Sequence, residues 1–141
     1  MKTLKFLAFV GILALAFTSC KKEEEFTLVG KWNVDKVTTT AFLNGQQVHH
    51  EEETNQGWIQ FFSGNTGVDD DGGTFQWSLS GDNLTITFDD PDEGEMASFT
   101  FKLTTKTLQK IVAESTFEES YEIEGQVYTV SVNLILELSK L

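Results

Sequence analysis

The segment Tyr128-Thr129-Val130-Ser131-Val132-Asn133-Leu134-Ile135-Leu136-Glu137-Leu138-Ser139 alternates apolar and polar side chains, with Ile135 alone breaking the polar row. A period of two sends successive side chains to opposite faces of an extended chain, so this stretch reads as a strand with one face toward a core. The same pattern recurs upstream. Phe75, Trp77 and Leu79 alternate with Thr74, Gln76 and Ser78; Leu84, Ile86 and Phe88 with Thr85 and Thr87; Ala97, Phe99, Phe101 and Leu103 with Ser98, Thr100 and Lys102. Asn44-Gly45, Ser63-Gly64-Asn65-Thr66-Gly67, Gly81-Asp82-Asn83 and Glu124-Gly125 supply the residues that tight turns require, which makes sequential strands antiparallel neighbours.

Strands are expected at Gly30 to Leu43, Gln46 to Glu53, Trp58 to Phe62, Thr74 to Ser80, Leu84 to Asp89, Met96 to Thr104, Thr107 to Phe117 and Gln126 to Leu141, with 68 to 73 a loop. Eight antiparallel strands in up-and-down order, each with one apolar face, close most economically into an all-β barrel, which leaves no free edge. A two-sheet sandwich is the alternative, and it needs longer crossings than the short turns provide.

The N-terminus carries an address. Lys2 and Lys5 precede an apolar run from Phe6 to Phe17, about 12 residues, against the roughly 20 that a membrane-spanning helix needs. This is the layout of a cleaved signal peptide, residues 1 to 19. Phe17-Thr18-Ser19-Cys20 resembles a bacterial lipobox, whose cysteine is acylated and becomes the first residue of the mature protein; the family more often has Leu at the position of Phe17. Cys20 is the only cysteine, so no intramolecular disulfide forms. The resemblance implies fatty acyl chains on Cys20 and a lipid bilayer as partner, with attachment by anchor and no spanning helix. Lys21-Lys22-Glu23-Glu24-Glu25 resembles the export tag of surface lipoproteins of the Bacteroides group, and residues 20 to 28 read as a charged tether before a domain at 29 to 141. The location implied is the outer membrane, on the cell surface or, alternatively, facing the periplasm.

The chain has 141 residues, 22 of them Asp or Glu, and its 10 basic residues are all lysines, for a net charge of -12. Removing residues 1 to 20 takes away two lysines and no acid, so the mature charge is 8 minus 22, or -14. So acidic a chain without arginine excludes nucleic acid as a partner, because phosphate recognition needs clustered cations.

Gly30-Lys31-Trp32, opening the first strand, resembles the Gly-x-Trp start of the lipocalin barrel. With the eight-strand meander, the lipobox and the Trp77-Ser78-Leu79-Ser80-Gly81-Asp82-Asn83-Leu84 hairpin, the chain is similar to small lipocalin-like lipoproteins of the Bacteroides group from about Leu28 to Leu141. In lipocalins that tryptophan closes one barrel end beneath an arginine from the last strand. This chain has none, and Lys140, on the parity of Leu138, is the candidate to cover Trp32.

The resemblance implies a small, mostly apolar ligand. Trp58, Phe75, Trp77 and Phe99 are the expected wall residues, with Phe62, Phe88 and Phe101 on the same inward parity and Gln60 between Trp58 and Phe62. The competing reading is a filled barrel that serves as a structural, protein-binding or glycan-binding module. Lys110 and Glu114 share a parity with Leu108 and Val112 and would meet inside, unless the strand faces inward through Gln109, Ile111, Ala113 and Phe117. His49 and His50 are adjacent on a strand and point to opposite faces, so they do not jointly chelate a metal. Asp90-Pro91-Asp92-Glu93-Gly94 lacks the bidentate glutamate of a calcium loop, since Phe101 stands there, and Asp69 to Asp71 lack diagnostic spacing. No nucleophile sits beside a base. The expectation is therefore a monomeric, non-enzymatic protein with no cofactor, no catalytic residues and no metal site.

Overall fold

The computed structural model describes residues 24–89 and 96–141; the signal segment, Cys20 and the acidic stretch 90–95 lie outside the described residues. Nine strands follow in chain order: β1 (Gly30–Leu43), β2 (Gln46–Thr54), β3 (Trp58–Phe61), β4 (Thr66–Asp69), β5 (Thr74–Ser80), β6 (Asn83–Asp89), β7 (Met96–Lys106), β8 (Lys110–Ile123) and β9 (Gln126–Lys140). All pairings are antiparallel, and β1 pairs with β9 as well as with β2 and β3. That last pairing closes a ring of eight, β1-β3-β4-β5-β6-β7-β8-β9, and settles barrel over sandwich.

The eight differ from those expected. β2 pairs only with β1 and stands outside the ring. The missing member is β4, in a stretch read as turn and loop. Gly67 explains the misreading: it sits opposite Phe61 on β3 and Phe75 on β5, and a Cβ there would collide with the Phe75 ring and lie 2.7 Å from the Gln60 carbonyl oxygen. The glycine that looks like a turn residue is a strand residue whose missing side chain makes room for a ring.

β1 changes its facing partway along. Its register against β9 slips between Val34 and Lys36, so Asp35 is the extra residue of a bulge. Its carboxylate accepts hydrogen bonds from Asn33 Nδ2 (2.5 Å) and Ser139 Oγ (2.8 Å). The loop between β2 and β3 is tied to the same place, through Asn55 N to Asp35 O and Val34 N to Gly57 O. Before the bulge Trp32 and Val34 face inward; after it Val37 and Thr39 do, opposite Leu136 and Leu134.

The walls are unequal. β3 and β4 have four residues each, whereas β1, β8 and β9 have 14, 14 and 15. Beyond the short wall, β2, β1, β9 and β8 continue side by side as a tall sheet, whose two hairpins are joined by Asn44 and Thr129: Asn44 N donates to Thr129 O, and Thr129 N to Asn44 Oδ1.

Candidate ligand-binding site

At one end the barrel has a floor. Trp32 is fully buried and its Nε1 donates to the Leu28 carbonyl at 2.8 Å. Leu28 is buried and Phe26 packs on the core, so the floor includes residues from the stretch read as tether. Lys140 Nζ lies 4.5 Å from the centre of the Trp32 ring and donates to the Val29 carbonyl at 3.0 Å. Gly30 permits this, because its φ of +134° is one that side chains rarely adopt and a Cβ there would collide with the Lys140 ammonium.

Above the floor runs a ladder of rings. Phe61 meets Phe75 at 5.5 Å, Phe75 meets Phe88 at 5.8 Å, Phe88 meets Phe99 at 6.2 Å, and Phe99 meets Phe117 at 5.4 Å. These are centroid distances of tilted and edge-to-face contacts, the geometry that aromatic quadrupoles favour. The ladder crosses β3, β5, β6, β7 and β8, and passes β4 only because Gly67 has no side chain. Trp77 packs edge-on against Phe61 at 5.7 Å and donates from Nε1 to the Thr66 carbonyl.

Burial falls from floor to rim along β6, β7 and β8, whereas on β5 Phe75, level with Phe88, is buried and Trp77 and Leu79 below it are half-buried. Along β8 the inward residues Ile111, Ala113 and Ser115 are 0 %, 1 % and 6 % exposed, Phe117 is half-buried, and Tyr121 and Ile123 are 49 % and 59 % exposed. Phe101 and Leu103 are buried on β7 where Ala97 and Phe99 are half-buried. On β6 the buried Leu84 and Ile86 give way to a half-buried Phe88. The inner face is closed below and uncovered above.

Several expected residues stand elsewhere. Trp58 is not a wall residue: the register Trp32↔Ile59 and Gly30↔Phe61 turns Ile59 and Phe61 inward, which puts Trp58 and Gln60 outside and leaves Phe62 41 % exposed. Lys31 covers Trp58 instead, its Nζ 3.6 Å from the ring centre. The open question on β8 resolves toward Ile111, Ala113 and Phe117. Lys110 lies on the outer face and pairs with Glu137 at 3.5 Å, not with Glu114. Lys36 joins that outer network, 3.0 Å from Glu137 and 3.5 Å from Glu52, and its hydrogen bond holds the Glu137 carboxyl below the usual carboxylate range.

Phe61 and Phe117 are members of the ladder that were not singled out as wall residues, and only the strand registers reveal them. His50 Nδ1 is 3.0 Å from Thr40 Oγ1, while His49 Nε2 is 3.3 Å from Glu51 Oε2. Among the described residues no group of three or more His, Cys, Asp or Glu side chains is gathered around a metal-sized space. Two shallow depressions, about 290 and 230 Å³, lie over β4 to β6 and share Gln76 and Thr87; the first also touches Gly67 and Phe75, and the second Trp77.

The sequence profile of the lipocalin-like domain matches residues 28–110, more than half of the chain. No curated protein and no solved structure gives a significant match.

Proposed function

The chain belongs to the lipocalin-like domain family, and from that premise we propose that it is a lipid-anchored outer-membrane protein, displayed at the cell surface, whose barrel takes up a small, mostly apolar molecule at its open end. The fall in burial along the inward rows of β6, β7 and β8 carries the reading, since half-buried rings at Phe88, Phe99 and Phe117 offer apolar surface that the protein itself leaves uncovered. Phe75 and Trp77 form the deeper wall, and Trp32 with Lys140 closes the floor. The protein works as a monomeric binding module without chemistry of its own.

Native mass spectrometry on the mature chain, incubated with an extract of its source cells, tests the binding. A reproducible added mass is expected; a clean unliganded spectrum at every extract fraction overturns it in favour of a filled barrel. The anchor is tested separately by fatty-acid labelling. Incorporation into the protein and its loss in Cys20→Ala support the address, and an unlabelled native protein rejects it.

A further inference from the structure

The inner face of the tall sheet has an ordered composition. Cross-strand partners in an antiparallel pair share a face, so Leu134, Val132 and Val130 on β9 carry Thr39, Ala41 and Leu43 of β1 with them. Thr39 and Ala41 in turn place Glu51 and His49 of β2 on this face, and Val37 places Glu53. On β8, Phe117 lies opposite Val132, and Glu119 opposite Val130. The result is an apolar strip of Ala41, Leu43, Val130, Val132 and Phe117, bounded by the carboxylates of Glu51 and Glu53 on one side and Glu119 on the other. The Tyr121 hydroxyl donates to Glu119 and fixes that carboxylate on the strip's edge.

No lysine balances this rim among the described residues, and the basic side chain that this face does carry, His49, reaches only Glu51, its Nε2 3.3 Å from Oε2. Lys31 covers the outer Trp58, Lys36 and Lys110 hold Glu137 on the outer face, Lys106 holds Asp82 at 2.6 Å, and Lys140 caps the floor. Lys102 lies exposed on the outward parity of β7. The described lysines thus lie at the floor and on the outer wall, where Lys36, Lys106 and Lys110 are paired with carboxylates, and none lies at the mouth beside Glu53 and Glu119. In a concave site with low-dielectric walls, charge of one sign raises the local concentration of the opposite ion and repels its own kind.

We infer that the open end selects cationic amphiphiles: an apolar body on the Phe99, Phe117, Val130 and Val132 surface, with an ammonium or similar head between Glu51, Glu53 and Glu119. This rests on the reading of the barrel as a binder of mostly apolar molecules, and adds the charge of what it takes. An anionic amphiphile such as a fatty acid would set its carboxylate among three others.

The test uses the mature chain, residues 20–141, unlipidated through Cys20→Ser, titrated calorimetrically with decyltrimethylammonium, decanoate and neutral decyl glucoside below micelle-forming concentrations. The cation is expected to bind roughly tenfold more tightly than the neutral probe, as a potential of a few kT at the rim dictates, and decanoate more weakly than both. Glu51→Gln, Glu53→Gln and Glu119→Gln together should abolish the preference and leave the neutral probe unchanged. The outward-facing set Glu52→Gln, Glu118→Gln and Glu122→Gln removes the same charge from the other face and should leave the preference intact. Equal binding of decanoate, or equal effects of the two triple variants, overturns the inference while the apolar site stands. Failure of all three probes to bind overturns the site itself.

Discussion

The floor and the rim of this barrel are built from the same alternating strands, yet they solve opposite problems. At the floor every group meets a partner: the Trp32 indole has a carbonyl below it and a lysine above it, and Leu28 and Ile111 are buried beside it. At the rim the rows run on after the short strands β3 and β4 have ended, so the same inward parity leads into open space. Stability resides at one end and unsatisfied apolar surface at the other, a division expected of a site that must accept something from outside.

The sharpest way to break this contrast is at Trp32. Trp32→Ala removes a fully buried ring together with its hydrogen bond and its covering lysine, and should cost about 3–5 kcal/mol in urea unfolding. Next comes Gly67→Ala, where the new methyl collides with the Phe75 ring, at about 1–3 kcal/mol. Phe99→Ala, nearer the rim and half-buried, should cost roughly 1–2 kcal/mol. A loss equal to that of Trp32→Ala would mean that the rim is packed like the floor.

Lys140→Met keeps the apolar stem over Trp32 and removes the cation and its bond to Val29, an expected loss of about 0.5–1 kcal/mol by the same measurement. The smallest effect belongs to the outer wall. Hydrogen bonding to Lys36 lowers the Glu137 pKa and raises that of Lys36. A lowered carboxylate pKa contributes stability above the unfolded-state value, and that contribution disappears as pH falls through the folded-state value. The native protein should therefore be slightly more stable than Lys36→Met at neutral pH, and the gap should close on acidification. Taking the difference of two proteins cancels most of the general charge repulsion, which changes over the same range.

What could be read in advance follows from where the pattern has only one solution. Phe75 to Leu79 and Leu84 to Phe88 alternate cleanly between apolar and hydroxyl or amide side chains, and their faces were legible. Trp58-Ile59-Gln60-Phe61-Phe62 offers apolar residues on both parities, so its facing depends on which neighbour it meets. That neighbour is Trp32, a residue more than 25 positions away. The second half of β1 was ambiguous for a different reason, since the bulge at Asp35 transfers its inward row to the other parity. β4 was invisible because its inward residue Gly67 is a glycine that leaves room for the Phe75 ring of β5. Local alternation carries a strand's faces only where no long-range partner overrides it.

The floor is also a junction of chain ends. Trp32 pairs with Lys140, so the barrel closes between the first and the last of the described strands. No shorter piece than β1 to β9 contains the floor, so the aromatic interior stays uncovered until β9 is in place. Folding waits on the contact with the greatest sequence separation, which favours a slow, all-or-none closure over stepwise assembly.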